Sequence, residues 1–312
     1  MEFRRLGNTG LRVSTIGLGC NNFSTRCDFE ASRRVVHRAL DLGICLFDTS
    51  DSYGRGGSED HLGQILGPRR ADIVLATKFS QPMDDGELMK GASRRYIMRA
   101  VEASLKRLRT DWIDLYQVHF PDSGTPIEET LRALDDLVHQ GKVRYIGCSN
   151  FAAWQVIEAL WTSRHNGLHG FVSCQDQYSV LVRDVENELL PAIRAYGLGL
   201  LPYYPLAGGF LSGKYQRGAP MPEGARLSYT ERLSKRYLTD RNWQLIESLQ
   251  KIAQARSRTL LDLAFAWLLA HPEVPSVIAG ATKPEQIELN VQAGSFAIDA
   301  QTMSEIDAAL AG

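Results

Sequence analysis

The chain has 312 residues, 44% hydrophobic and 23% charged, enough to bury a large core and ordinary enough for a soluble globular enzyme or binding protein. Its 35 basic and 36 acidic residues leave a formal net charge of -1, which gives no global attraction for nucleic acid or an anionic membrane. The start, Met1 to Gly7, lacks the apolar core of a signal peptide, and the longest apolar run, Leu261 to Ala270, contains Asp262 and is about half the roughly 20 residues of a spanning helix.

Taken in order, the chain opens with Phe3 to Val13, where Gly7-Asn8-Thr9-Gly10 reads as a small hairpin capping one end of the fold. Short apolar, β-branched segments then alternate with amphipathic ones, the pattern of a parallel sheet with crossover helices. The candidate strands are Ile16 to Cys20, Leu46 to Ser50, Ile73 to Phe79, Ile113 to His119, Val143 to Ser149, Val172 to Asp176, Gly199 to Tyr204 and Ser276 to Gly280. These are about eight, the number that closes a (β/α)8 TIM barrel.

The five cysteines, Cys20, Cys27, Cys45, Cys148 and Cys174, are odd in number and form no Cys-x-x-Cys pair. That spacing disfavours a disulfide framework and a zinc knuckle, and reduced thiols in the cytoplasm are the simplest expectation.

Between the strands, Ile97, Ala100, Val101, Leu105 and Leu108 recur at helical spacing. Thr125 and Glu128 are expected to form a capping box around Pro126 for a helix ended by Gly141, and Ser149 with Asn150 to cap the next one. Pro191 delays or kinks the helix within Asp184 to Tyr196. The alternation breaks at Leu206 to Arg226, a long loop rich in Gly and Pro, followed by a polar helical piece from Tyr229 to Leu238. Helices are expected at Trp243 to Ala255, Leu260 to Leu269, from Pro284, and at Thr302 to Leu310, as extra helices outside the barrel complete a single domain over residues 1 to 312.

In such a barrel, the C-terminal strand ends share one mouth, where active sites are built. The residues there are Asp48 and Tyr53, Lys78, His119, Ser149 and Asn150, Gln175 and Tyr203. Singly, Asp48 reads as a turn former, Lys78 as a snorkelling surface lysine and His119 as a hydrogen-bonded core histidine. Together they are less easily accidental, because a buried lysine needs a partner and Asp48 is on the neighbouring strand. A lysine ammonium beside a phenol favours phenolate and lowers its pKa, which would let Tyr53 move protons while neutral His119 polarises a carbonyl.

The hydride for such a reduction needs a source. No Gly-x-Gly-x-x-Gly opens a helix, so a Rossmann reading is excluded. Gly208 to Lys214 approaches a Walker A loop but is followed by Tyr215 in place of Ser or Thr. Thr282-Lys283-Pro284-Glu285 is expected to be a capping box whose free N–H groups receive an anion. A metal-dependent hydrolase is disfavoured because no His-x-His or further carboxylate set accompanies Asp48 and His119, and no metal is expected.

With these residues in place, the chain resembles the aldo-keto reductase superfamily over nearly its whole length, closest to its bacterial and potassium-channel β-subunit-like branch. The stretches that carry the resemblance are Leu6 to Ser14, Phe47-Asp48-Thr49-Ser50-Asp51-Ser52-Tyr53-Gly54, Ala76 to Phe79, Ser104 to His119, Gly141 to Asn150 and Pro205 to Lys214. The resemblance implies a catalytic tetrad of Asp48, Tyr53, Lys78 and His119, with Tyr53 as general acid and base, and NADPH, less often NADH, lying across the barrel mouth. It implies that Ser149, Asn150 and Gln175 bind the carboxamide and that Tyr203 stacks on the nicotinamide. Pro205, Leu206, Gly208, Lys214 and Arg226 would meet the pyrophosphate, and Gly280, Thr282, Lys283, Gln286 and Asn290 the adenosine end. Mammalian reductases carry a Lys and an Arg where this chain has Gly280 and Gln286, so a preference for NADPH would rest on Lys283 and its neighbours.

Asn22, Phe23 and Phe120 are expected near the mouth as contacts for a small carbonyl substrate. The main expectation is an NADPH-dependent reductase of aldehydes or ketones. The alternative is a nucleotide-loaded sensor or regulatory subunit with slow catalysis, as the channel β-subunits of the superfamily are.

Overall fold

The computed structural model describes residues 1 to 86 and 88 to 311. Its ten strands are β1 (Phe3–Arg5), β2 (Arg12–Ser14), β3 (Ile16–Gly19), β4 (Leu46–Asp48), β5 (Val74–Phe79), β6 (Ile113–Val118), β7 (Val143–Ser149), β8 (Ser173–Gln177), β9 (Gly199–Tyr203) and β10 (Val277–Gly280). The last eight form one parallel sheet in the order β10-β3-β4-β5-β6-β7-β8-β9. At the seam between the first and last of that order, Leu200 N–H donates to Glu273 O at 2.7 Å, just before β10. Helices follow the strands around the outside, and the architecture is a (β/α)8 TIM barrel.

Side chains alternate across a strand, so every second residue points into the barrel. Leu46, Val74, Ala76, Leu115, Leu201 and Ile278 share one buried cluster with Leu6 and Val13 of the hairpin. The intervening residues, among them Phe47, Leu75, Tyr116, Ile146 and Val277, belong to the larger core beneath the helices. Counting in twos from the inner set arrives at Asp48, Lys78, Gln117 and Tyr203. An apolar floor therefore becomes a polar layer at the C-terminal end of the strands.

The antiparallel pair β1 and β2 plugs the opposite end. Gly7 has φ +55, and a Cβ there would lie 2.7 Å from Gly197 O and 2.8 Å from Val172 O. Only glycine lets the turn pass so close to the starts of β8 and β9.

Several helix starts differ from the sequence expectation. The helix Ile127–His139 has Pro126 at its N-cap without a side-chain cap, because the Thr125 hydroxyl donates to Asp122 instead. The helix Ala153–Asn166 starts beyond Ser149 and Asn150, and Gln155 Oε1 accepts the Ala152 N–H at 3.0 Å. The helix Pro284–Ala293 has Lys283, not Thr282, as its N-cap. The segment around Pro191 forms a short 3-10 turn, Asp184–Glu186, and a late helix, Leu189–Tyr196, as its proline requires. The long loop contains a 3-10 turn, Ala207–Ser212, and leads into the short helices Arg226–Tyr229 and Glu231–Tyr237. Among the described residues, no helix is long and apolar enough to cross a membrane.

Candidate active site

Strands β4 and β5 are hydrogen-bonded neighbours, with Asp48 in register with Ala76, so Lys78 extends one inward position further and meets Asp48 from the side. Its Nζ donates to Asp48 Oδ2 at 2.7 Å and to Thr49 O at 2.8 Å. An ammonium has three protons, and the third is left for the phenol of Tyr53, whose ring centroid is 5.1 Å from Nζ. Lys78 is fully buried. Burial pulls its pKa down, but Asp48 and then Tyr53 raise it above its ordinary value, so it stays charged.

The loop that presents Tyr53 is tied to the barrel. Thr49 N–H continues the ladder to Ala76 O at 2.9 Å, and Asp51 N–H reaches Lys78 O at 3.1 Å. The hydroxyls of Thr49 and Ser58 meet at 2.8 Å, and Ser58 donates to Cys20 O. His119, one residue beyond β6, completes the group, its ring centroid 5.8 Å from that of Tyr53 in an edge-on contact.

Burial raises the Tyr53 pKa, and the neighbouring Lys78 charge offsets this only in part. The sequence expectation that lysine would lower it is thus outweighed by desolvation in the resting site, and the phenol holds its proton. His119 is pushed down to about 3, by burial first and then by Lys78. It is a neutral imidazole at any physiological pH.

These groups open into a cavity of about 1070 Å³. Asp48, Tyr53 and His119 line it, and Lys78 stands behind them. Beside the tetrad, Ser149 Oγ donates to Gln175 O at 2.7 Å, and Asn150, at φ +61, donates to His119 O and accepts the Tyr203 hydroxyl at 2.8 Å. Gln175 Nε2 donates to Asp48 Oδ1 at 2.9 Å. Pro205, Leu206, Gly208, Lys214 and Arg226 border the cavity on one side, and Gly280, Thr282, Lys283, Gln286 and Asn290 on another.

In the long loop, Ala207, Gly208 and Gly209 are consecutive at φ +47, +70 and +96. The Ala207 and Gly209 N–H groups are taken by Tyr204 O at 2.9 Å and Leu206 O at 2.8 Å, and the two glycines leave the backbone bare of side chains where it borders the cavity. The cavity is also lined by Arg26, Lys214, Arg226, Arg232, Arg236 and Lys283. Among the described residues these six have no carboxylate partner within ion-pair distance. Burial, then Arg26 and Arg226, depress the Lys214 pKa. Two bonds join cavity-lining residues from distant parts of the chain: Arg26 donates to Gly224 O at 2.8 Å, and Arg226 to Asn22 Oδ1 at 3.3 Å.

Not every expected residue reaches the mouth. Phe23 is fully buried in the core and does not line the cavity, because its N–H turns back onto Cys20 O. Asn22 and Phe120 do line it, and Phe120 stacks on His119 at 5.1 Å. Thr282 offers neither its N–H nor its hydroxyl as a free anion donor, since Gln286 Oε1 accepts from both.

Sequence reasoning missed Gln117, which donates to Asp48 Oδ1 at 3.4 Å and stands one inward step before His119. It also missed Arg26, Arg232 and Arg236. The four-residue spacing of the last two was a readable sign, since it places both on one face of the helix Glu231–Tyr237.

Among the described residues, the three side chains close enough together to hold a metal are Asp135, His139 and His169, on the helix Ile127–His139 and the connection before β8. Asp135 already engages both rings: its Oδ1 bonds His169 Nδ1 at 2.7 Å, and His139 Nδ1 bonds the Asp135 backbone O at 3.0 Å with Oδ2 3.2 Å away.

The comparisons with known proteins agree with this architecture. A probable voltage-gated potassium channel subunit beta of Arabidopsis thaliana is 38% identical over 94% of this chain and 91% of its own length. The uncharacterized oxidoreductase YrpG of Bacillus subtilis is 37% identical over 97% and 94%, and the L-glyceraldehyde 3-phosphate reductase of Escherichia coli K12 is 32% identical over 98% and 92%. With the family model matching residues 15–311, the chain belongs to the aldo/keto reductase family.

Proposed function

We propose that this oxidoreductase reduces aldehydes or ketones to alcohols with NADPH as its cofactor. The observation that carries the proposal is one phenol, Tyr53, set between a buried charged lysine and a neutral imidazole at the wall of a large cavity.

The residues present fit the dinucleotide. Six cations without carboxylate partners, and the close backbone approach that Gly208 and Gly209 allow, suit its phosphates, with Lys214 and Arg226 at the pyrophosphate. Lys283, Gln286 and Asn290 remain for the adenosine end, with Gly280 and Thr282 beside them. Gln175 Oε1 is left to accept the carboxamide, between Ser149 and Asn150, and Tyr203 offers a face to the ring. The surplus of positive charge favours NADPH over NADH, because the former carries an additional phosphate. When bound, the cofactor supplies hydride to the carbonyl carbon.

The protein's own residues manage the oxygen. His119 donates a hydrogen bond to the carbonyl, and Tyr53 gives its proton as negative charge grows there. An alkoxide is a far stronger base than phenolate, so a raised phenol pKa still permits the transfer. Lys78, held charged by Asp48, stabilises the phenolate left behind. The five free thiols fit a cytoplasmic setting.

Changing Tyr53→Phe should lower turnover on a panel of aldehydes, ketones and sugars by about 10²–10⁴ while leaving NADPH fluorescence titration unchanged. Undiminished turnover would refute the proposal. The named channel subunits among the relatives favour a second reading, a nucleotide-loaded regulatory subunit. Tight NADPH binding without turnover across the panel, and a protein partner retained in pull-down, would select it.

A further inference from the structure

Behind His119 lies a chain of buried groups that the carbonyl chemistry does not use. Ser50 Oγ is 3.1 Å from His119 Nδ1, 3.0 Å from Ser52 Oγ and 3.3 Å from Asp51 Oδ1, and it accepts the Ser52 N–H. Ser50 and Asp51 are both buried. On the far side of the carboxyl, Tyr96 donates to Asp51 Oδ2 at 3.4 Å.

The hydroxyl of Ser50 has one proton and several acceptors around it. A neutral imidazole likewise has one N–H. If Ser50 gives its proton to Nδ1, the histidine proton must sit on Nε2, the remaining nitrogen, and His119 is a donor toward the cavity. If Ser50 gives its proton to Asp51, Nδ1–H donates to Ser50 and Nε2 presents a lone pair. The first arrangement supports a carbonyl oxygen, and the second receives the hydroxyl of an alcohol.

Which arrangement holds depends on Asp51. A carboxylate is the strongest acceptor within reach of Ser50 and claims its proton. A protonated Asp51 becomes a donor, and Ser50 is free to face Nδ1. The groups around Asp51 are Glu59, Arg107, Tyr96 and Tyr116. Glu59 is already satisfied by Arg107 at 2.7 Å and by the Thr77 hydroxyl at 2.5 Å. Burial first and Glu59 second push Asp51 up to about 7, against the pull of Arg107, so its proton is exchangeable near neutrality.

We propose that Ser50 and Asp51 are positioning residues that set the tautomer of His119, making it a donor for carbonyl reduction when Asp51 is protonated and an acceptor for alcohol oxidation when it is ionised. The change releases one proton, that of Asp51, and moves the histidine proton from Nε2 to Nδ1. The assignment of direction rests on reading the site as a carbonyl reductase, whereas the tautomer itself does not.

The test is two-bond ¹H–¹⁵N NMR of the full chain labelled at histidine, with His119 assigned by His119→Gln, between about pH 6 and 9. Wild type should pass from the Nε2–H to the Nδ1–H pattern with a midpoint near that of Asp51. Asp51→Asn, which cannot ionise, should hold Nε2–H throughout, and Ser50→Ala should lose the pH dependence. In kinetics, wild-type carbonyl reduction should fall about tenfold over that range and Asp51→Asn should stay flat.

One unchanging tautomer in wild type would overturn the proposal, as would a wild-type transition that survives in Ser50→Ala. If Asp51→Asn fails to fold, Ser50→Ala decides the matter by itself. If wild type shows no carbonyl turnover at all, the reductase reading fails while the NMR transition still decides this one.

Discussion

Gln175 and Lys78 hold opposite oxygens of one carboxylate: Gln175 Nε2 lies 2.9 Å from Asp48 Oδ1, and Lys78 Nζ 2.7 Å from Asp48 Oδ2. The residue expected to meet the carboxamide and the residue that backs the phenol are thereby coupled through Asp48. Changing Gln175→Ala would leave Oδ1 with only the weaker Gln117 contact at 3.4 Å. An under-satisfied buried acceptor costs about 1–3 kcal/mol. The expected outcome is weaker NADPH binding together with a roughly tenfold lower kcat, read by fluorescence titration and steady-state kinetics on one preparation. A loss of affinity alone would show that Asp48 does not transmit the change.

Much of this was legible from local pattern. Most of the eight barrel strands were readable because they are short, largely apolar runs between turn residues, as strands covered on both faces are; β8, Ser173–Gln177, is the polar exception. The tetrad followed from strand ends, because a barrel brings them to one mouth. What local pattern could not reveal was competition between partners. Thr125 and Thr282 have the spacing of helix caps, but Asp122 and Gln286 claim them. Phe23 lies beside Asn22 in the chain, yet one turns into the core and the other toward the cavity. Ser50 reads as an ordinary turn serine until His119 arrives from another strand.

Lys78→Met should destabilise the fold strongly, because it removes the charge from Asp48 without removing the burial. Breaking one partner of a buried pair costs about 3–5 kcal/mol. Adding Asp48→Asn should recover part of that loss, since the remaining group is then neutral. Urea denaturation of both variants checks this, and a double variant no more stable than Lys78→Met would contradict it.

The unpaired cations predict how nucleotide binding responds to salt. Lys214→Ala and Arg226→Ala should each weaken NADPH binding about tenfold and flatten its dependence on ionic strength, as screening acts on charges near the surface. NADH should be affected less by any change at Lys283 than NADPH is, if that lysine meets the additional phosphate. The measurement is a fluorescence titration of both nucleotides at two salt concentrations. Equal losses for the two nucleotides in Lys283→Ala would remove that lysine as the source of preference.

Asp176 predicts a pH dependence of stability that is separate from the reaction. It sits on β8, its Oδ2 has no hydrogen-bond partner, and burial pushes its pKa up to about 8, offset in part by the Asn150 backbone. The folded value lies above the unfolded value of about 3.9, so between those limits the folded chain keeps a proton that the unfolded chain has lost. The associated stability is fully present below about pH 4 and is lost as pH rises through about 8. His119 works in the opposite sense, but only between its depressed value of about 3 and the ordinary one near 6.5, so it does not contribute above neutrality. Wild type should therefore lose stability from about pH 7 to 9, and Asp176→Asn should flatten that decline. At the upper end the variant should be more stable by about 2 kcal/mol, the order of the cost of an unsatisfied buried group. Urea denaturation at both pH values measures this, and parallel curves for the two proteins would show that Asp176 does not ionise within the fold.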